Sequence, residues 1–181
     1  MRLPADAVLM VVDAEEPAHP DAGDPRQEAD SKIAALIAAW RAEGLPLVHV
    51  ARRSAGAARP RDGETVIARE AMSAFAGTSL EERLDELGAT TLVLCGALAT
   101  HALEATARHA GDLGYRVFVV ADACRAAEAV DLNGRSWPAE DVRALALAHL
   151  EGETATMVDS ATALGAAATA RARQRRKAGR A

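Results

Sequence analysis

Apolar runs of strand length, separated by helical patterns, constrain this chain more than any other feature. Ala7–Val12, Leu45–Ala51, Thr91–Cys95, Tyr115–Ala121 and Ala155–Val158 are apolar on both sides of a prospective strand rather than alternating, as strands covered on both faces must be. Between them, Ile33, Leu36, Ile37 and Trp40 fall on one helical face that Gly44 would end. Thr78-Ser79-Leu80-Glu81 has capping-box spacing ahead of Leu80, Leu84 and Leu87. Leu103, Ala107, Ala110 and Leu113 make a third face, with Glu104 and Arg108 paired outside it. Pro138 suits the first turn of a fourth helix running through Val142, Leu145 and Leu150. Strand and helix in turn predict an α/β chain with a mostly parallel sheet and helices on both faces. A sixth strand would come from Thr65–Ala68 or from the C-terminal segment. Ligands bind such folds at the carboxyl ends of strands, where Asp13, Arg52, Arg53, Gly96 to Ala102, Asp122 and Cys124 lie.

The 181 residues suit one domain, expected over 1–170, followed by a basic, frayed tail over 171–181. Arg171, Arg173, Arg175, Arg176, Lys177 and Arg180 crowd that tail, so the body is more acidic than the net charge of −5. No aromatic is interleaved with these cations, and no nucleic-acid partner is expected. No apolar run approaches the length of a membrane span, and the first residues do not read as a signal peptide. A soluble cytoplasmic protein with no membrane partner is the expectation. Cys95 and Cys124 fit neither a disulfide framework nor metal-ligand spacing. His49, His109 and His149 are scattered, and neither a metal nor another cofactor is expected.

A longer set of residues carries a family resemblance. Ala74-Phe75-Ala76-Gly77-Thr78, Leu87-Gly88, Leu92-Val93-Leu94-Cys95-Gly96, His101, Thr106-Ala107-Arg108, Leu113-Gly114-Tyr115 and Val119 to Ala123 closely resemble the isochorismatase-like cysteine hydrolases. The resemblance implies a three-layer, Rossmann-like, six-stranded sheet. It also implies a catalytic triad of aspartate, lysine and cysteine, which would fall here on Asp13, Arg69 and Ala102. The thiol position is a methyl and the lysine position a guanidinium. His19 lies in the loop where the nicotinamidase branch binds metal, but the Asp-x-His pattern is missing.

Ala102 has no polar atom, so covalent thiol catalysis at this position is excluded. The backbone amides of the helix it opens would remain, able to hold an anion or a polarised carbonyl. Substrate-binding candidates are therefore Ala97, Leu98, Thr100, His101 and Ala102. Thr100 reads as the helix N-cap, and His101 as a local hydrogen-bonding residue. Asp13 is the candidate for proton transfer, since a carboxylate can act as base or acid. Arg69 cannot give up a proton near neutral pH. It can orient Asp13, clamp a substrate carboxylate, or stand as an exposed charge beside Glu70.

Within the resembling family, true isochorismatases also carry a small residue at the thiol position and cleave a vinyl ether with the aspartate handling the proton. They keep the lysine, and commonly a Gln where this chain has Glu15. Two readings follow. One is a small-molecule hydrolase using Asp13 without a covalent intermediate, on a small carboxylated or carbonyl substrate. The other is a catalytically inactive member retained for ligand binding or assembly. Relatives of this kind imply a homodimer or homotetramer.

Overall fold

The computed structural model describes residues 3–4, 6–14, 25–52, 60–97 and 99–178, with backbone alone at 25–27 and 171–178. Six strands form one sheet: β1 (Val8–Val12), β2 (Leu47–Arg52), β3 (Thr65–Arg69), β4 (Thr91–Gly96), β5 (Arg116–Cys124) and, last in the chain, Thr156–Val158. Two short strands, β6 (Ala129–Val130) and β7 (Ser136–Trp137), pair apart from it, so the last sheet strand is β8. The sheet order is β3-β2-β1-β4-β5-β8, and every neighbouring pair is parallel. The sheet is therefore fully parallel where the sequence predicted mostly parallel. The sixth strand is Thr65–Arg69, and the C-terminal segment is helical.

Period-two alternation within the strands sends their side chains into two separate cores. Val8, Met10, Val12, Leu92 and Leu94 face α2 (Leu80–Glu86), α3 (Ala102–Asp112) and α4 (Ala139–Leu150). Leu9, Val11, Val93, Cys95 and Phe118 face α1 (Pro25–Ala42) and α5 (Ser160–Ala178). Both faces are thus dry, which is why the strands read as continuous apolar runs. Ile33, Leu36, Ile37 and Trp40 form the buried stripe of α1, and the Trp40 indole donates to the Ala7 carbonyl at 3.0 Å. Gly44, at φ +62°, turns the chain out of α1 and lets the Leu45 amide reach the Trp40 carbonyl at 2.9 Å.

Several local expectations shift. Leu113 and Leu145 are exposed, and α4 instead buries Ala146, Leu147 and Leu150. Pro138 is the N-cap of α4 rather than a residue of its first turn. The Thr78 hydroxyl accepts the Leu80 amide at 3.2 Å, but Ser79 holds the cap position and Glu81 makes no reciprocal bond among the described residues. Glu104 and Arg108 pair at 3.0 Å as the spacing requires. The hairpin of β6 and β7 was not anticipated. It is organised by Asp131, whose carboxylate accepts from the amides of Asn133 and Arg135 and from the Trp137 indole, each at 2.9–3.0 Å.

Candidate functional site

The strand order reverses between β1 and β4: from β1 it runs outward through β2 to β3, then resumes at β4 on the other side of β1 and runs outward through β5 to β8. Crevices for ligands form at the carboxyl ends of such a pair. Here the chains stay close past the strand ends. The Asp13 amide ties β1 to β2 by donating to Val50 O at 2.8 Å, and the Ala97 amide, just past β4, donates to Val12 O of β1 at 2.9 Å. Gly96, at φ +139°, makes this possible, because a Cβ there would lie 1.9 Å from the Val12 carbonyl oxygen. Asp13 itself has φ +49°, a region that Asp and Asn tolerate better than most residues.

Arg69 ends β3, two strands away from β1. Its side chain reaches back over β2, donating from Nε to Asp13 Oδ1 at 3.1 Å and from Nη2 to Oδ2. Nη1 donates to the Ala71 carbonyl at 2.8 Å. Arg69 is 2% exposed and Asp13 9%. Of the three readings of Arg69, the geometry is that of an orienting partner for Asp13. It is not an exposed charge beside Glu70. A planar guanidinium fork fixes the carboxylate in plane and direction, which an ammonium does not do.

Ala102 is the first residue of α3 and is fully buried, in the same core cluster as Ala74, Phe75, Ala99 and Leu103. Its approach segment is braced from β5: the Ala99 amide donates to Arg125 O at 2.7 Å and the Arg125 amide to Gly96 O at 3.0 Å. Thr100 does not cap α3. Its hydroxyl meets His101 Nδ1 at 2.8 Å, and the exposed His101 occupies the cap position without a side-chain bond to the helix. His101 O accepts the Ala105 amide at 2.9 Å, leaving the amides of Ala102 to Glu104 without intrahelical partners. The structure therefore brings Asp13 and Arg69 into contact. It sets Ala97, Thr100, His101 and Ala102 along the neighbouring β4–α3 turn. Leu98, Glu15, His19 and Arg53 lie outside the described residues.

Neither of the two thiols is poised to act as a nucleophile. Cys95 is fully buried, and burial raises its thiol well above the usual range. Cys124 is 1% exposed, donates to Val120 O at 3.2 Å, and is pushed up to about 12, chiefly by burial. Thiolates are the reactive form, so both act as small core residues. Among the described residues no group of three His, Cys, Asp or Glu is arranged to hold a metal. None of their helices is long and apolar enough to cross a membrane.

Two polar clusters escaped the sequence reading. Ser73 Oγ meets His109 Nδ1 at 3.0 Å, and the Ala74 amide donates to Thr106 Oγ1 at 3.0 Å, fastening the Ser73-Ala74-Phe75 segment to α3. At the opposite end of β3, Glu64 takes Arg41 Nε at 2.6 Å and Nη2 at 2.8 Å, and meets the buried His49 Nε2 at 2.9 Å. The Arg41 bonds, with the Arg61 amide and His49, overcome burial and hold the Glu64 carboxyl at about 2. Burial lowers His49 against the pull of Glu64. Edge strand β3 is thus tied at both ends by a carboxylate–arginine pair. Sequence separation hid these contacts, which span 15 to 56 residues.

Known proteins agree with this architecture. The Isochorismatase domain matches residues 7–162. The uncharacterized isochorismatase family protein YddQ of Bacillus subtilis is 31% identical over 148 residues, 72% of this chain and 82% of that protein. A solved isochorismatase from Pseudomonas putida superposes with a TM-score of 0.79 at 28% identity, covering 90% of this chain and 92% of that one. N-carbamoylsarcosine amidase from Thermoplasma acidophilum superposes with a TM-score of 0.63 at 27% identity, covering 86% and 96%. With its fully parallel six-stranded sheet, its helices on both faces and this domain match over most of its length, the chain belongs to the isochorismatase family and has that family's hydrolase fold.

Proposed function

We propose that this protein is a small-molecule hydrolase in which Asp13 moves a proton and no covalent thiol intermediate forms. The observation that carries the reading is the buried fork of Arg69 on Asp13, placed where the sheet order reverses. The fork occupies one lone pair on each carboxylate oxygen, and an ionised carboxylate has about four acceptor positions. Asp13 thus keeps acceptor capacity for a substrate proton while its direction is fixed. Arg69 acts as a positioning residue in this reading, replacing the substrate clamp considered from sequence. The free amides of Ala102 to Glu104, with the approach segment from Ala97 through Leu98, Thr100 and His101, steady negative charge developing on the substrate. The substrate is a small carboxylated or carbonyl compound, and no metal or other cofactor takes part. Relatives named for amide and isochorismate chemistry support the range of substrates to try.

A second reading is a cleft that binds a ligand without turning it over. It is favoured by one observation: both Asp13 oxygens already carry bonds from Arg69, while the neighbouring Ala102 methyl is fully buried. Assay of the purified chain on isochorismate and a panel of small amides, esters and lactones separates the two, with Asp13→Asn as control. Turnover lost in the control supports the hydrolase. Saturable binding of a panel compound without turnover supports the second reading. We further propose a cytoplasmic homodimer or homotetramer, a compartment supported by the two unpaired thiols. Light scattering on the purified chain reads the assembly state, and a monomer would contradict it.

A further inference from the structure

A second cleft, of about 340 Å3, lies between the first half of α1, the end of β5 and the start of α4. Most of its charges are matched within the protein. Lys32 meets Glu28 at 2.6 Å and Asp122 at 3.3 Å. Asp122 also accepts from the Ser160 amide and hydroxyl. Arg125 pairs with Asp30 at 3.1 Å.

Arg143 and Glu140 are the exceptions. Half-buried Arg143 donates from Nη1 to Ala121 O at 3.1 Å, with no carboxylate in ion-pair contact among the described residues. It acts on Glu28 only through space. Most of its five donors therefore remain unused beside the cleft. Glu140, exposed on the cleft wall, makes no hydrogen bond or ion pair among the described residues. The two stand three residues apart on α4, a spacing that puts Cβ atoms roughly 5–6 Å apart on one face.

We propose that this cleft binds a small zwitterion, its carboxylate on Arg143 and its ammonium against Glu140. With the other charges paired among themselves, a simple anion on Arg143 would leave Glu140 beside it unmatched, and a simple cation on Glu140 would leave Arg143 unmatched. A molecule carrying both charges meets each with its opposite. Asp13 is not among the residues that line this cleft.

Titration calorimetry of the full chain with glycine, β-alanine and γ-aminobutyrate, beside propionate and ethylammonium as single-charge controls, tests this directly. The expected result is saturable binding of at least one zwitterion, weakened about tenfold or more by Arg143→Gln and by Glu140→Gln and unchanged by Asp13→Asn. Glu140 is exposed, so its variant keeps the test open if Arg143→Gln does not fold. No saturable heat with any zwitterion, equal binding of propionate, or indifference to both α4 substitutions would overturn the proposal. Loss of binding in Asp13→Asn would also overturn it, by moving the ligand to the other crevice.

Discussion

Replacing Arg69 by methionine would leave the Asp13 carboxylate buried without its counter-charge. Both groups are almost wholly removed from water, at 2% and 9% exposure, and three hydrogen bonds end on or leave from the guanidinium. Breaking one partner of such a pair costs about 3–5 kcal/mol, most of it from the carboxylate left unpaired. In a chain of 181 residues, each kcal/mol lowers Tm by about 2–4 °C, so the variant should melt about 6–20 °C lower. The double variant Asp13→Asn/Arg69→Met removes the stranded charge while keeping a residue that tolerates the φ of +49°. It should therefore be more stable than Arg69→Met alone, with a coupling of about 2 kcal/mol or more in a double-mutant cycle followed by urea unfolding. A loss below about 1 kcal/mol in Arg69→Met, or simple additivity in the cycle, would refute the view that Arg69 acts through Asp13.

Three other outcomes are expected. Gly96→Ala places a Cβ 1.9 Å from Val12 O and should cost more than about 4 kcal/mol, visible as loss of the cooperative melt by circular dichroism; a near-native melt contradicts the close packing of β1 and β4. Glu64 is held at about 2 against an ordinary 4.5, and His49 below 6.5, so the unfolded chain binds more protons than the folded one as pH falls. Stability fully present above pH 6.5 should decline below it through His49, then lose about 2–3 kcal/mol between pH 4.5 and 2 through Glu64; Glu64→Gln should abolish that second decline in urea titrations, and an unchanged profile would contradict it. Ala102→Cys with Arg69→Lys should create iodoacetamide-sensitive hydrolysis of small amides, at a stability cost of about 1–3 kcal/mol for enlarging a fully buried side chain; hydrolysis insensitive to alkylation would show that the new thiol does not act.

The fold was legible because its strands are buried on both faces and its helices present apolar stripes, patterns written locally in residues such as Leu92–Cys95 and Ile33–Trp40. The family motif likewise pointed to the family that the domain match over 7–162 shows. Local pattern fails where partners are distant or partly exposed. Leu145 matches a helical stripe, yet it is Ala146, Leu147 and Leu150 that are buried, on a helix that packs against α3. Thr100 has cap chemistry, but the adjacent His101 takes its hydroxyl. The hairpin gave its signal in Asp131-Leu132-Asn133-Gly134, whose Gly134 adopts φ +81°, but its strands of two residues are too short for periodicity to reveal. Arg69 shows the limit at the site itself. Its charge and position can be read from sequence, whereas its choice of Asp13 over a solvent-exposed place depends on three strands lying side by side.

Proton transfer by Asp13 without a covalent intermediate requires that turnover depend on this carboxylate and that no adduct form on the chain. Steady-state turnover of isochorismate and of small esters, lactones and amides should be measured for the native chain and for Asp13→Asn under the same conditions, with intact-mass spectra taken during turnover. Expected are turnover of at least one compound, a loss of roughly a hundredfold or more in the variant, and no mass adduct on the native chain. Undiminished turnover in Asp13→Asn, or a substrate-derived adduct that accumulates and decays with turnover, would contradict it.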